Sequence, residues 1–275
     1  MEIHARQSAA YRARHGSSFK VPKVIAHRGY AAQYPENTLL SLHQAIKAGA
    51  CFVEFDVQFT ADGVPVVLHD DLLKRTTGAK GSVLELPYSE VKTFQACETK
   101  RFGAKFANQG IGIPALSDAI FLLKDFPHVH GFVEIKTETL AKFGIEKIIK
   151  ALIKVIEPAI DQVSVISYDA LAIRCARAMG ARTIGWVLKE WNNDVRSAAT
   201  ALTPDYLFCN IRKIPPTVDQ LWPGPWQWAL YDIDDPEIAV ELANYGVDLV
   251  ETSLVSELLQ HPVMRLGGCF DQCAA

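Results

Sequence analysis

Eight short apolar segments alternate with segments of helical periodicity, and this alternation constrains the fold more than any other feature of the chain. Continuously apolar strands are typical of a parallel sheet that helices cover on both faces. Eight such strands predict an α/β fold of the closed (β/α)8 TIM barrel type, for which about 250 residues is usual. A doubly wound open sheet is the alternative. The predicted strands are Val24–Ala26, Cys51–Val57, Gly131–Ile135, Val163–Ser167, Arg182–Leu188, Tyr206–Cys209, Trp226–Tyr231 and Asp248–Glu251.

The helical segments between the strands carry start and stop signals. Thr38 and Asp169 stand where helices should begin, and their side-chain oxygens suit the N-cap position. Gly49, Gly180 and Gly246 stand where helices should end. These signals support regular strand–helix units.

One region after the second strand breaks the alternation. Thr60–Gly63 reads as a turn and Pro65–His69 as a strand, which together predict a hairpin that sets His69 roughly opposite Glu54. The irregular stretch 70–112 is then an insertion over one face of the barrel. The predicted organisation is a flexible basic tail over 1–22, a barrel domain over 23–262 and a C-terminal tail over 263–275.

Composition and charge exclude several classes of protein. A net charge of −3 and a pI near 6.2 argue against a nucleic-acid-binding surface. No apolar run approaches the roughly 18 residues of a membrane span. The N-terminus has no apolar core of a secretory signal, so the basic leader is interpreted as a tail, with an organelle-targeting peptide as the alternative. These features predict a cytoplasmic protein.

The six cysteines show no disulfide spacing. Reduced thiols are the expectation for a chain without an export signal. Cys269 and Cys273 lie near the C-terminus with no histidine beside them, so we interpret them as incidental and not as metal ligands.

Three carboxylates are predicted to meet at the ends of neighbouring strands. Glu54 and Asp56 are two residues apart on one strand, so both side chains point to the same face. Glu134 lies near the end of the next barrel strand. Carboxylates facing each other in a barrel mouth are costly unless a cation lies between them, and oxygen ligands favour Mg²⁺ or Ca²⁺. The alternative is that the acids are solvated or form ion pairs.

Two histidines and an arginine accompany the acids. His27 ends the first strand and His69 ends the hairpin, and such a pair can serve as acid and base around one phosphorus atom. Arg28 can hold phosphate oxygens with two parallel hydrogen bonds, and Gly29 allows the backbone to turn close to a ligand. The remaining candidates (His43, His128, His130 and His261) are interpreted as packed or capping residues.

Four further polar or aromatic residues are weaker candidates. Lys136 would neutralise charge on a phosphate or pair with Glu134. Glu36 and Asn37 would orient His27 or touch the ligand, although Asn37 could equally belong to a helix start. Trp228 is either core or a substrate contact at the barrel mouth.

The order and spacing of these motifs resemble the glycerophosphodiester phosphodiesterase family, in particular its short cytosolic members. The resemblance spans Val24 to about Gln260. Its motifs are His27–Gly29, Pro35–Thr38, Glu54–Asp56, Asp62–Asp70, Arg75–Thr77, Ile113–Leu116 and Glu134–Lys136.

The resemblance implies a (β/α)8 barrel with a small insertion after the second strand. It implies a divalent cation on Glu54, Asp56 and Glu134, phosphate on Arg28, and acid–base roles for His27 and His69. The implied reaction converts a small-molecule glycerophosphodiester to sn-glycerol 3-phosphate and an alcohol. In the family's usual pathway the substrate's own glycerol hydroxyl attacks phosphorus, and water then opens the cyclic phosphate.

Two late strands depart from the family's pattern. Members often read Trp-Thr-Val-Asn where this chain has Trp228 to Tyr231, and Thr-Asp at the end of the last strand, which here reads Val250-Glu251-Thr252. These differences bear on the substrate pocket. A lysophospholipase D-type enzyme on the same barrel and a catalytically inactive binding barrel are the alternative functions.

Overall fold

The computed structural model describes residues 20–216 and 220–270. Most of the predicted N-terminal tail, and Cys273, lie outside the described residues. Within the described part, no helix combines the length and apolar character that a membrane crossing requires.

The strands form a closed barrel. The sheet order is β1-β9-β8-β7-β6-β5-β4-β2-β3, and β1 also pairs with β2, which closes the ring of eight parallel strands. The predicted TIM barrel is therefore confirmed, and the open-sheet alternative is wrong because an open sheet would leave β1 with an unpaired edge. The strands of the described residues are β1 Lys23–Ala26, β2 Phe52–Phe59, β3 Pro65–Val67, β4 His130–Ile135, β5 Val163–Ser167, β6 Thr183–Val187, β7 Tyr206–Asn210, β8 Gln227–Tyr231 and β9 Leu249–Thr252.

Helices fill the connections as the periodicity predicts. Thr38 caps the first, since its hydroxyl accepts from the Ser41 amide at 3.1 Å, and the Asp169 carboxylate accepts from two amides at the start of another. The α-helices are α1 Leu39–Lys47, α2 Lys74–Thr77, α3 Tyr88–Val91, α4 Thr99–Phe102, α5 Leu116–Lys124, α6 Thr137–Phe143, α7 Ile145–Ile156, α8 Ala170–Ala178, α9 Asn193–Leu202, α10 Pro236–Leu242 and α11 Val255–Gln260. Short 3₁₀ turns cover Val83–Glu85, Glu157–Ala159, Ile211–Lys213, Ala243–Tyr245 and Met264–Gly267.

Strand side chains alternate between two apolar layers. One set, which includes Ile25, Phe132 and Phe208, fills the barrel interior. The other set, which includes Val53 and Val133, packs against helix residues in the outer layer. The period of two along each strand thus decides which residues can reach the open end of the barrel.

The hairpin and the insertion follow the second barrel strand as predicted. β3 runs antiparallel to β2, with Val67 opposite Val57. The next backbone bond joins Leu68 to Asp56, so His69 lies about one residue from the predicted register. Residues of the insertion form a small core of their own around Leu73, Val83 and Val91.

The C-terminal segment is bonded to the barrel, which corrects one expectation. Cys51 and Cys269 form a disulfide, whereas the sequence predicted reduced thiols. The two residues are 218 positions apart, so no local spacing could indicate the pairing. Barrel closure brings the start of β2 beside the chain end, where Phe270 also lies close to Gly49. Cys97, Cys175 and Cys209 are free.

Candidate active site

Six predicted site residues, all from the first half of the sequence, line one pocket at the carboxyl ends of the strands, together with residues from the second half. The pocket has a volume of about 170 Å³. It is lined by His27, Arg28, Asp56, His69, Glu134, Lys136, Ile166, Tyr168, Val187, Phe208, Tyr231, Asp232 and Glu251.

Glu54, Asp56 and Glu134 form the acidic centre. Asp56 lies directly opposite Glu134 in the parallel ladder, and ligand oxygens of all three residues lie within 4.8 Å of one another. Glu54 and Asp56 are 2% and 1% exposed. Within the part of the chain described, Oε1 of Glu54 has no hydrogen-bond partner although it is buried. Three buried carboxylates with an unused oxygen fit a hard divalent cation.

The pKa values of two of these buried acids shift in opposite directions. Burial, together with the charges of Asp56 and Glu251, raises the pKa of Glu54 well above its usual value. Burial acts in the same direction on Asp56, but the charges of Arg28 and Lys136 outweigh it and hold its pKa below the usual range. Protein cations therefore stabilise the charged form of Asp56, whereas at Glu54 burial and the neighbouring acids outweigh the charge of Arg28.

Lys136 joins two members of this centre. Its ammonium donates to Glu134 Oε1 at 2.7 Å and to Asp56 Oδ1 at 3.2 Å. Burial opposes the charged form, yet the two carboxylates raise the pKa of Lys136 above its usual value. The Lys136 side chain lines the pocket.

The turn after β1 holds His27 and Arg28 in place. The His27 amide donates to Thr252 O at 2.9 Å, which ties the turn to the end of β9. Arg28 adopts a positive φ of 56°, a strained conformation that occurs preferentially at functional sites. Gly29 follows with φ 78°, and a Cβ there would lie 2.5 Å from the Ser41 backbone. Glycine is therefore required sterically as well as conformationally.

Arg28 connects the acidic centre to Glu36. Its backbone amide donates to Glu54 Oε2 at 3.0 Å, its Nη1 donates to Glu36 at 2.9 Å, and its Nε lies 3.1 Å from Asp56 Oδ2. Burial and then the positive charge of Arg28 lower the pKa of His27 to about 4. The His27 ring is thus neutral at pH 7.

His69 is held by its neighbour Asp70. Nδ1 of His69 lies 2.6 Å from Asp70 Oδ1, so the ring donates there and leaves Nε2 available. Arg75, from α2, donates to Asp70 Oδ2 at 2.6 Å and also pairs with Glu36. The insertion thereby connects the His69 side of the pocket to the Arg28 side.

Glu36 and Asn37 support the site from outside the pocket lining. Glu36 accepts from Arg28 and Arg75, and so orients arginine rather than His27. Asn37 donates to Asp56 Oδ2 at 2.8 Å and accepts from the Asp56 amide at 3.1 Å. The two residues of this turn therefore have separate roles. Thr38 caps the helix, and Asn37 positions the Asp56 carboxylate.

The structure does not bring Trp228 to the pocket. Its indole packs in the outer layer against Trp191 and Trp222 and donates to Trp222 O at 3.0 Å. The reason is strand alternation, because Ala229 and Tyr231 of β8 face the barrel interior. Tyr231 lies at the pocket instead, and its hydroxyl bonds that of Tyr168 at 2.9 Å.

Sequence reasoning assigned no role to Tyr168 and Asp232 and connected Glu251 with the pocket only as a departure from the family's pattern; all three line the pocket. Each follows or ends a predicted strand, and that position was the available signal. A single tyrosine or acid at a strand end is common, so the signal was weak.

A TIM barrel that joins acids, an arginine and two histidines at the ends of its strands is typical of enzymes that cleave phosphate esters with help from a divalent cation. A profile of the glycerophosphoryl diester phosphodiesterase family matches residues 27–252, and the chain belongs to this family. The predicted family and enzyme class, a phosphodiesterase, are thereby confirmed.

The chain is similar to two relatives and one solved structure, of which one relative and the solved structure are phosphodiesterases. The chain is 32% identical over 252 residues to a glycerophosphodiester phosphodiesterase of Caldanaerobacter subterraneus, covering 89% of this chain and 98% of that protein. It is 39% identical over 159 residues to the uncharacterized protein YqiK of Bacillus subtilis, covering 56% of this chain but only 62% of YqiK. An Oleispira antarctica phosphodiesterase, solved in complex with its product sn-glycerol-3-phosphate, superposes with a TM-score of 0.74 at 26% identity, covering 88% of this chain and 96% of that one.

Proposed function

We propose that the protein hydrolyses glycerophosphodiesters to sn-glycerol 3-phosphate and an alcohol, as a step in glycerophospholipid breakdown. The observation that carries this proposal is the meeting in one pocket of the acidic centre, Arg28 and both histidines. Family membership supports the substrate class.

Glu54, Asp56 and Glu134 would hold one divalent cation, Mg²⁺ or Ca²⁺. The buried, unpartnered Oε1 of Glu54 supports this role, because a bound cation would compensate it. A cation in that place stabilises the negative charge that gathers on a phosphoryl group during displacement. Asn37 would keep Asp56 in its ligating orientation through the two hydrogen bonds that join them.

Phosphate binding is assigned to the cations at the edge of the pocket. The Arg28 side chain is held by Glu36 and lies beside Asp56, from where its guanidinium reaches a phosphate next to the acidic centre. Lys136 would contribute a second positive charge. Glu36 acts by positioning Arg28.

Proton transfer is assigned to His27 and His69. In the pathway that the resemblance implies, the glycerol 2-hydroxyl attacks phosphorus while one histidine takes its proton and the other protonates the departing alcohol oxygen. In the second step water attacks phosphorus and the bond from phosphorus to the glycerol 2-oxygen breaks; the two histidines exchange roles, one taking the water proton and the other protonating the 2-oxygen, which leaves glycerol 3-phosphate. Because Asp70 holds Nδ1 of His69, Nε2 is the nitrogen that would transfer the proton. An attacking group that belongs to the substrate gains from proximity, with effective molarities of about 10⁵–10⁸ M in well-oriented cases.

The packing of two insertion phenylalanines argues against a groove for the acyl chain of a lysophospholipid. An acyl chain would need an exposed apolar groove near the insertion, where the sequence places Phe94, Phe102 and Phe106. Phe106 is 3% exposed and Phe94 packs against the insertion's own core, so neither is available to line such a groove.

One assay tests the proposal. The purified protein is incubated with glycerophosphocholine, glycerophosphoethanolamine or a lysophospholipid, with and without chelator. We expect release of glycerol 3-phosphate from the first two, abolition by chelator and recovery with Mg²⁺ or Ca²⁺. Glu134→Gln should need more cation, whereas Glu241→Gln, on the surface helix α10, serves as the control.

Hydrolysis of the lysophospholipid alone would favour the lysophospholipase D alternative. If the protein cleaved none of the three substrates with any added cation, the result would favour an inactive binding barrel. Full activity in excess chelator would refute the role of the acidic centre.

The division into tails and barrel domain remains a prediction, as does the cytoplasmic location. The disulfide between Cys51 and Cys269 gives a reason to test the location, because structural disulfides are rare in a reducing cytosol.

A further inference from the structure

Glu251 is a buried carboxylate for which the proposed reaction has no use. It lies on β9 beside the first strand, with Ile25 as its direct partner in the ladder. The residue is 5% exposed and lines the pocket. Among the described residues its Oε1 has no hydrogen-bond partner. An unpaired buried carboxylate is costly, so a compensating ligand is expected.

Two residues close to that carboxylate complete a ligand set. Ligand atoms of His27, Glu54 and Glu251 lie within 4.8 Å of one another. Glu54 is shared with the group formed by Asp56 and Glu134, and its Oε1 also lacks a partner within the described chain. Glu54 therefore lies between two groups of ligands.

The two groups differ in chemistry. The first offers three carboxylates, which suit Mg²⁺ or Ca²⁺. The second offers one imidazole and two carboxylates, a combination that zinc binds well. Atoms that share one zinc ion lie about 3–4 Å apart, because each bond is about 2.0–2.2 Å long. The ligand atoms of the second group, all within 4.8 Å of one another, lie close to that spacing.

We propose that His27, Glu54 and Glu251 form a second cation site that takes Zn²⁺ and inhibits the enzyme. A zinc ion bound there would occupy the imidazole lone pair of His27 and so remove that nitrogen from proton transfer. Zinc inhibition would then arise beside the activating cation rather than by replacing it. This inference rests on the proposed function for its inhibitory effect, but not for zinc binding itself.

The test combines calorimetry with inhibition. Zn²⁺ is titrated into the Mg²⁺-loaded protein, and hydrolysis of glycerophosphocholine is followed in saturating Mg²⁺ as Zn²⁺ increases. We expect one zinc ion per chain at micromolar concentration and near-complete inhibition. Glu251→Gln should raise the zinc concentration for half-inhibition at least tenfold, relative to that variant's own zinc-free activity. Glu241→Gln, which alters an exposed carboxylate outside the pocket, should keep the wild-type value.

Two further variants separate the sites by calorimetry alone. His27→Ala should lose zinc binding, whereas Glu134→Gln should retain it, because Glu134 belongs only to the first group. Glu251→Leu provides a second variant if Glu251→Gln fails to fold.

Equal zinc inhibition of wild type and folded Glu251 variants would overturn the proposal, since zinc would then act at the first site. Absence of zinc binding to the Mg²⁺-loaded protein would also overturn it. An enzyme that binds zinc through His27 and Glu251 but cleaves no diester would instead refute the proposed function and leave the site intact.

Discussion

The two ends of the barrel differ in the side chains that the same strands place there, charged at one end and aromatic at the other. At the carboxyl ends, Arg28, Lys136 and the acids form a charged network around a pocket. At the amino ends, Phe52, His130 and Tyr206 pack with Phe132 in a cluster of rings. The comparison shows that burial alone does not identify a site, because largely buried histidines occur at both ends.

Two histidines make this difference sharp. His27 at the pocket and His130 at the opposite end both have a pKa lowered to about 4, in each case chiefly by burial. His27 is surrounded by charged groups, whereas His130 bonds the Ser164 hydroxyl at 2.8 Å among aromatic rings. A lowered pKa therefore marks a buried histidine, and only the neighbouring groups indicate a catalytic one.

The largest expected effect separates these histidines by activity. His27→Ala and His69→Ala should each lower kcat by about 10²–10⁴-fold, the usual worth of acid–base catalysis. His130→Asn should leave kcat near the wild-type value because it lies at the other end. Steady-state kinetics on glycerophosphocholine would measure this. Near-normal kcat in either pocket variant would remove that histidine from the mechanism.

The disulfide lies at the amino ends of the strands, so its removal should lower stability without altering the pocket. Cys51→Ser should lower the free energy of unfolding by about 2–4 kcal/mol, because the bond closes a long loop in the unfolded chain. kcat should not change at 25 °C. Urea unfolding with and without reductant measures the difference, and Cys175→Ser, which alters a free thiol, is the control. Identical unfolding midpoints for wild type and Cys51→Ser would show that the bond does not stabilise the fold.

A smaller effect is expected where the insertion supports the pocket. Asp70→Asn should lower kcat by about 10–100-fold by weakening the hold on Nδ1 of His69, which is the scale seen when outer-shell partners of functional side chains are removed. KM should change little. Asp71→Asn, one residue further, is the matched control. A wild-type kcat in the Asp70 variant would mean that packing alone orients His69.

The smallest effect is a pH dependence of stability. The folded state keeps His130 neutral, while the unfolded chain takes up a proton below its usual pKa of 6.5. This contribution to stability is therefore present above pH 6.5 and is lost as the pH falls toward 4. Between pH 6 and 5 we expect a loss of about 1 kcal/mol for this group, and His130→Asn should reduce the slope. Urea midpoints at several pH values test this, and an unchanged slope would show that protonation of His130 does not cause the loss.

The acidic part of the site could be predicted because its residues lie on one strand and on the strand beside it. Glu54 and Asp56 share a face by the two-residue period of a strand, and Glu134 lies at the same height on the adjacent strand. The same period could have excluded Trp228, had the inward face of β8 been known. That face was ambiguous, since several residues of this strand are large and apolar.

The sequence by itself determined the barrel, the hairpin and the positions of the acids, His27 and His69 at strand ends, because these follow from local periodicity and turn chemistry. Only the tertiary structure decided that Glu251 joins His27, that Arg75 pairs with Glu36 and that Cys51 meets Cys269. Each of these contacts joins segments far apart in the chain. Their meeting depends on how the barrel closes and how the insertion folds back, which no local pattern encodes.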